Sequence, residues 1–241
     1  MDLSIVVTTF NYELYLEECL ASCIEQDVCG LDYEIIIIDD GSTDNTSKIL
    51  SQSFPPNVRV YSIKNSGIEQ ASNYGFLNSN GDYIVRVDAD DILLPGYLAS
   101  MEEHLTENHG FFYPNYQVIN QSGNLIREIE LPEFDRKEIQ HRGDFLATGT
   151  LVKSELIKRL NGYRTDIRSS GLENYDFILK ILKLGVIGRH VPEILFGYRR
   201  HGGNMSDLKK KQIIQNGKDL FMENGLGRFQ TNEFHPYGLK V

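Results

Sequence analysis

The sequence predicts an α/β fold: a Rossmann-like, mostly parallel sheet flanked by helices, with a smaller mixed half after it. Three observations carry this. Short apolar runs of strand character alternate with segments of helical spacing through the first half of the chain. The run Ile35-Ile36-Ile37-Ile38 suits a strand buried on both faces, as parallel sheets require. Helix-opening patterns follow the strand-like runs closely, as in units with right-handed crossovers.

Taken in order, Ser4 to Thr8 reads as the first strand, and Leu16, Cys19, Leu20, Cys23 and Ile24 follow at helical spacing. Glu34 to Ile38 is the second strand, and Gly41-Ser42-Thr43-Asp44 opens a second helix with several possible caps. Val58 to Ile63 is the third strand, and Ser66-Gly67-Ile68-Glu69 has the pattern of a capping box. Tyr83 to Val87 is the fourth strand, and a helix is expected from Pro95 to about Asn108. The second half differs. Phe111 to Ile119 and Leu125 to Ile129 read as a hairpin turning at Gln121-Ser122-Gly123-Asn124. Pro132 to Gln140 reads as a polar connection, Thr148 to Val152 as a short strand, and Ser154 to Leu160 as a short helix stopped by Gly162. Leu172 to Leu184 is a firmer helix, with Phe177, Ile178, Ile181 and Leu182 inward and Gly185 as its C-cap. A last strand ends at Tyr198, and a polar helix spans about Asp207 to Phe221.

Composition narrows the function. The chain has 241 residues, enough for one domain or one and a half. A net charge of -10 argues against nucleic acid as a partner, since phosphate binding draws on Lys/Arg clusters. The run Lys209-Lys210-Lys211 reads as a solvated helix face, or at most as a weak peripheral membrane contact with anionic lipid heads. The apolar start, Leu3 to Thr9, is too short for a signal peptide and lacks a basic leader. No apolar stretch approaches the ~20 residues that span a bilayer. The expected location is therefore the cytoplasm. Cys19, Cys23 and Cys29 are an odd set without a fourth ligand nearby, so neither a disulfide framework nor a metal site is expected. Cys19 and Cys23, at i and i+4, read as helix core.

In an open parallel sheet the ligand site lies at the carboxyl ends of the strands. Four groups there carry chemistry. Asp88-Ala89-Asp90-Asp91 places three carboxylates within four residues. Either they form an acidic turn capping a helix, or they meet a hard divalent cation such as Mg²⁺ or Mn²⁺. Asp39-Asp40-Gly41-Ser42 is either a helix-capping turn or a carboxylate that accepts hydrogen bonds from a base or a ribose. Arg199-Arg200-His201-Gly202-Gly203 puts two guanidiniums and an imidazole on a Gly-containing loop, which suits a site that folds over a diphosphate. His201 is also a candidate metal ligand. Glu173-Asn174-Tyr175-Asp176 opens the firm helix; its carboxylates either complement the helix dipole or supply a general base. There is no Gly-x-Gly-x-x-Gly, no P-loop, no nucleophile elbow and no zinc spacing.

In this order and spacing, these pieces resemble the family 2 glycosyltransferases of the GT-A fold. Ser4 to Tyr12 is similar to the family's first strand and Tyr/Phe-Asn turn, and Ile38 to Asp44 is close to its most recognisable stretch. Gln26 matches, Asn65, Gly67, Ala71, Asn73 and Gly75 follow the pattern of the third helix, and Asp88 to Asp91 with Pro95 matches the metal motif. The resemblance covers about residues 1–206. It implies an inverting, metal-dependent transfer from a UDP-type sugar donor to a saccharide or lipid-linked saccharide acceptor, as in polysaccharide or glycoconjugate synthesis. Residues 1–109 would bind the donor, 110–205 would form the acceptor side, and 206–241 a C-terminal helix and tail. Thr8, Phe10, Asn11 and Asn65 would hold the donor, with Asp40 near its base and Asp88 near its ribose. Asp90 or Asp91 would hold Mn²⁺ or Mg²⁺, with His201 as a further metal or diphosphate contact. Two departures stand out. Ser72 replaces a common Arg, whose contact would fall to Lys64, Arg86 or Arg199. Glu173-Asn174 replaces a common Glu-Asp, so Glu173, or failing it Asp176, must be the base. The alternatives are a non-catalytic nucleotide-sugar binder and, less suited to Thr8 to Tyr12, a sugar nucleotidyltransferase.

Overall fold

The computed structural model describes residues 1–28, 30–105, 108–142, 149–166 and 170–229, with the side chains of 141 and 142 excepted. Cys29, Thr148 and the tail from 230 lie outside the described residues. Four strands come first: β1 (Leu3–Thr9), β2 (Tyr33–Asp39), β3 (Val58–Ser62) and β4 (Tyr83–Asp88). Between them run α1 (Leu16–Ile24), α2 (Thr46–Leu50) and α3 (Ile68–Leu77). All the pairings among these strands are parallel, with β1 between β2 and β4.

The sheet then continues into the second half. It adds β5 (Ile92–Leu93), β6 (Phe111–Ile119), β7 (Leu125–Ile129), β8 (Leu151–Lys153) and β9 (Gly188–Arg199). Among the described residues the order is β3-β2-β1-β4-β8-β6-β9-β5, with β7 beside β6. β8 is antiparallel to both β4 and β6, whereas β9 is parallel to β6 and antiparallel to β5. Only residues 89–91 separate β4 from β5, yet β5 pairs at the far end of the path.

Side chains alternate across each strand. Val6, Ile36, Ile38 and Ile84 face a core shared with α3, with α6 (Ser154–Leu160) and with α7 (Glu173–Lys183). Ile5, Val7, Ile35, Ile37, Val85 and Val87 face a second core with α1 and α4 (Tyr97–Glu102). Both faces of the parallel strands are thus covered, which accounts for the unbroken isoleucines. Cys19 and Cys23 are buried core residues of α1, as their spacing predicts.

Several expected elements differ. The helix after Pro95 starts only at Tyr97, because Gly96 is left-handed (φ 86), and it ends at Glu102. The expected polar connection contains α5 (Arg136–Arg142). Asp135 caps it, its carboxylate accepting from the Lys137 and Glu138 amides at 2.8 and 2.9 Å. The capping box at Ser66 to Glu69 does not form. The Ser66 and Gly67 amides donate to Asp40, and Glu69 instead accepts from the Ser170 amide. The C-terminal helix is broken at Lys209 into α8 (Met205–Leu208) and α9 (Lys210–Asn224).

Gly75 sets how closely α3 lies on the sheet. A Cβ there would sit 2.4 Å from Val6 Cγ1 and 3.3 Å from Ile38 Cγ1. Ala gains about 1 kcal/mol of helix propensity over Gly, but overpacking costs about 1–3 kcal/mol, and so close a contact favours the larger cost. Gly75→Ala is expected to lower Tm by roughly 2–8 °C in a thermal unfolding scan. A Tm that holds or rises would mean that α3 can ride higher on β1.

Candidate active site

A cavity of about 1050 Å³ opens at the carboxyl ends of β1, β2 and β4 and is closed on its far side by the N-terminus of α7 and by residues 198–213. The strand ends build its floor. Thr8 and Asn11 line it, and Phe10, 42% exposed, presents a ring to it. Asn11 takes a left-handed conformation (φ 59), and its side-chain oxygen accepts from the Thr43 amide at 2.7 Å. The ends of β1 and β2 are thereby tied together. Asp40 also lines the cavity, but its carboxylate is engaged by the Ser66 and Gly67 amides at 2.7 and 2.9 Å. It holds the start of α3. Asn65 lines the cavity beside it and donates to the Asp40 carbonyl.

The acidic turn divides its labour. Asp88 accepts from Arg86 at 3.1 Å. The Asp90 carboxylate lies 3.0 Å from His201 Nε2. Burial raises the Asp90 carboxyl above its ordinary range, while the bond from His201 opposes this. The Gly203 amide donates to His201 Nδ1 at 3.1 Å, which leaves the ring proton on Nε2 to face Asp90. Asp91 accepts from the Arg199 amide at 2.9 Å, so its carboxylate fastens the turn to β9.

The two arginines at the end of β9, Arg199 and Arg200, do not close over the cavity. Arg199 is fully buried. Its guanidinium donates to the Asp90 carbonyl at 2.7 Å, to the carbonyls of Asn120 and Gln121 at 3.3 Å, and to Glu18 at 2.7 Å. It also lies 5.2 Å from the centre of the Tyr15 ring, whose centre is 4.7 Å from that of His201. Arg200 turns to Asp207 at 2.7 Å. Neither guanidinium lines the cavity, which departs from the expected diphosphate clamp. The physical reason is the depth of β9: Arg199 is still paired with Ile119 in the sheet.

Glu173 and Asn174 line the cavity from the first turn of α7. Asp176 does not, and pairs with Lys180 at 2.5 Å. Glu173 is buried and accepts from Arg86 at 2.9 Å, while its Oε2 has no hydrogen-bond partner among the described residues. Burial pushes the Glu173 carboxyl up, and Arg86 pulls it back down. The Asn174 carbonyl oxygen accepts from the Tyr163 hydroxyl. Of the three cations expected to stand in for the Arg lacking at Ser72, Arg86 lines the cavity, whereas Lys64 and Arg199 do not. Sequence reasoning missed Tyr15 and Tyr163. Lys209, read from its lysine run as part of a solvated face or weak lipid contact, lines the mouth.

The sequence profile of glycosyl transferase family 2 matches residues 4–160. The chain belongs to that family. Relatives extend the likeness past the profile. It is 30% identical over 234 residues to the hyaluronan synthase of Pasteurella multocida, covering 93% of this chain and 23% of the synthase. It is also 30% identical over 241 residues to the chondroitin synthase of Pasteurella multocida (strain Pm70), covering 96% and 24%. The chain therefore spans less than a quarter of the length of either synthase. Among solved structures it resembles S. aureus TarS 1-349 in complex with UDP-GlcNAc, with a TM-score of 0.75 at 18% identity over 95% of this chain and 67% of that one. It also resembles the mannosyltransferase PcManGT from Pyrobaculum calidifontis in complex with GDP-Man and Mn²⁺, with a TM-score of 0.70 at 19% identity over 98% and 67%. The family 2 chain has the GT-A fold of these neighbours.

In this family 2 chain Arg199 holds the acidic turn, the turn at 120–121 and α1 together. Arg199→Ala is expected to cost roughly 2–5 kcal/mol in urea unfolding, since it empties a fully buried position and leaves the buried Asp90 carbonyl and the partly buried acceptors at Asn120, Gln121 and Glu18 unmet. Unchanged stability with lost UDP affinity would instead mark Arg199 as a diphosphate contact.

Proposed function

We propose that this chain is a catalytic domain that moves a sugar from a nucleoside-diphosphate sugar, a UDP-sugar first, to an acceptor hydroxyl with inversion at the anomeric carbon. The observation that carries the reading is a buried carboxylate, Glu173, which lines the cavity together with Asp88 and the Asp90–His201 pair and whose Oε2 has no hydrogen-bond partner among the described residues. Family membership supports the class of reaction, and TarS with UDP-GlcNAc supports the donor. In this reading residues 1–109 grip the donor, with Thr8, Phe10, Asn11 and Asn65 around it, Asp40 near its base and Asp88 near its ribose. Residues 110–205 shape the acceptor side, and of the C-terminal helix and tail that begin at 206, Ser206, Leu208 and Lys209 line the mouth.

The acceptor hydroxyl approaches Glu173 and gives its proton to Oε2 as its oxygen bonds to the anomeric carbon. The bond from that carbon to the diphosphate breaks on the opposite face, which inverts the centre and releases the nucleoside diphosphate. Asp90 and His201 fit a divalent ion. The Asp90 carboxylate and His201 Nε2, an oxygen and a nitrogen donor 3.0 Å apart, are the groups that would hold it. A bound ion would take the place of the Nε2 proton. Among the described residues no cluster of three or more His, Cys, Asp or Glu gathers, so diphosphate oxygens and water would complete its shell. Mn²⁺ suits the mixed nitrogen and oxygen set, Mg²⁺ being the alternative. Bound there, it would neutralise charge on the leaving diphosphate.

Asn174 favours a second reading, a non-catalytic nucleotide-sugar binder, because an amide cannot take a proton. A saccharide or lipid-linked saccharide acceptor fits a mouth whose rim carries exposed Leu14 and Leu208. Leu208 precedes the exposed Lys209, Lys210 and Lys211, which favours weak contact with anionic lipid at the inner face of a membrane. Among the described residues no helix is long and apolar enough to cross one. Flotation with phosphatidylserine vesicles tests this, and failure to float at low salt would remove the membrane contact.

UDP with Mn²⁺ is expected to raise Tm by roughly 5–11 °C at a hundredfold its Kd, and UDP alone by much less. No shift with any nucleotide would sink the donor reading. Asp90→Asn should abolish metal-dependent turnover in a folded protein. Glu173→Gln should abolish transfer while UDP still binds; retained transfer would remove Glu173 as the base. Because burial raises the Glu173 carboxyl, the acid limb of kcat/KM should lie above the ~4.3 of an ordinary glutamate, with activity growing as pH rises through it.

A further inference from the structure

Arg86 is the one buried guanidinium that lines the cavity among the described residues. It sits on β4, where period-two alternation puts it on the same face as Asp88 and opposite to Val85 and Val87. Its two terminal nitrogens point to different carboxylates: one donates to Glu173 Oε1 at 2.9 Å, the other to Asp88 Oδ2 at 3.1 Å. The Tyr163 ring lies beneath the guanidinium, 5.5 Å from its carbon. Tyr163 is itself fixed. Its amide and carbonyl both bond the Asn73 side chain at 2.8 Å, and its hydroxyl donates to Asn174. The arrangement runs from α3 through Tyr163 to Arg86, and from there to both carboxylates.

We infer that Arg86 is a positioning residue for the transfer: one guanidinium holds the proton acceptor Glu173 and the donor-side carboxylate Asp88 in a fixed relation and leaves Glu173 Oε2 to meet the acceptor hydroxyl. The inference rests on the reading of Glu173 as the base. A planar fork is suited to this task, because two rigidly spaced donors engage two partners without loss of orientation. The groups facing Glu173 set the sign of the electrical effect. Arg86 and Asp88 face it from β4, Glu69 from α3 and Tyr163 from the loop after α6; on its own helix Asp176 is occupied by Lys180. Among the described residues Arg86 is the cation in direct contact with Glu173. Without it, burial and the charges on Asp88 and Glu69 all favour the protonated acid, which cannot act as a base.

The test follows the Glu173 carboxyl carbon by NMR in protein labelled with ¹³C-glutamate, the signal being assigned by its loss in Glu173→Gln. Arg86→Gln is expected to move its titration midpoint up by about 1–3 pH units, and Arg86→Lys by less. An unchanged midpoint in both variants overturns the inference. UDP release from UDP-N-acetylglucosamine gives the second arm. Arg86→Gln should lose most activity at low pH and recover part of it as pH rises, and Arg86→Gln combined with Glu173→Gln should match Glu173→Gln alone. A loss by the same factor at every pH, with KM for the donor raised and kcat held, overturns the inference in favour of a plain donor contact. Full release by Glu173→Gln overturns instead the reading beneath it. Should Arg86→Gln fail to fold, Arg86→Lys decides, because a point charge cannot span two carboxylates. Its kcat should fall by on the order of tenfold with donor KM within about twofold, and a raised KM at unchanged kcat overturns the inference.

Discussion

The site hangs on a single strand that is apolar on one face and charged on the other. β4 gives Val85 and Val87 to one core, and on the opposite face it carries Ile84, then Arg86, then Asp88. A buried guanidinium in a sheet is costly unless its charge is met at close range. Glu173 and Asp88 meet it, and α7 has to dock with its first turn over the end of β4 to bring Glu173 there. One electrostatic requirement therefore fixes the approach of a helix some ninety residues away in sequence. The acidic turn, the base and the cavity wall all follow from that docking.

A second fastening works from the other side. Arg199 reaches α1, the acidic turn and the turn at 120–121 from one buried position, so the loop with His201 starts from a fixed point. α9 then packs against α7 through Tyr175, Ile213 and Phe221, and Asn216 donates to the Ser170 carbonyl at 2.9 Å, just before Glu173. Gly171 permits this closeness. It is left-handed (φ 67), and a Cβ there would meet Ile213 Cδ1 at 2.7 Å. The C-terminal segment thus supports the loop that presents the base.

The parallel half was legible because its rules are local. Isoleucines buried on both faces, strand ends rich in Asp and Asn, and helix spacing after each strand are all written in adjacent residues, and the residues they pointed to lie together around the cavity. Elements governed by tertiary context were not legible. The Ser66 to Glu69 stretch has the letters of a capping box, but Asp40 and Ser170 offer its groups better partners from far along the chain. The α5 helix carried a usable signal, Asp135 three residues before Glu138, within a stretch otherwise too polar to stand out. The arginines at the end of β9 read as a flexible clamp because sequence cannot tell how deep a strand end lies, and at Arg199 that depth decides what the side chain can touch. Arg86 and Glu173 are candidates in the sequence for separate reasons, and only the fold makes them a pair.

The path β4-β8-β6-β9-β5 has a geometric corollary. Residues 89–91 join its two ends covalently, so hydrogen-bonded strands and a short peptide link form a closed ring. In a ring, the length of the shortest link is set by everything else around the circumference. One residue added there would turn Ile92 and Leu93 to the wrong faces of β5, and one removed would open the pairing of Ile92 with Gly197. The spacing between Asp88 and Leu93 is therefore held by the closure of the sheet as well as by chemistry. Insertions and deletions among homologous chains would be excluded from that link even in a copy that had lost its catalytic use.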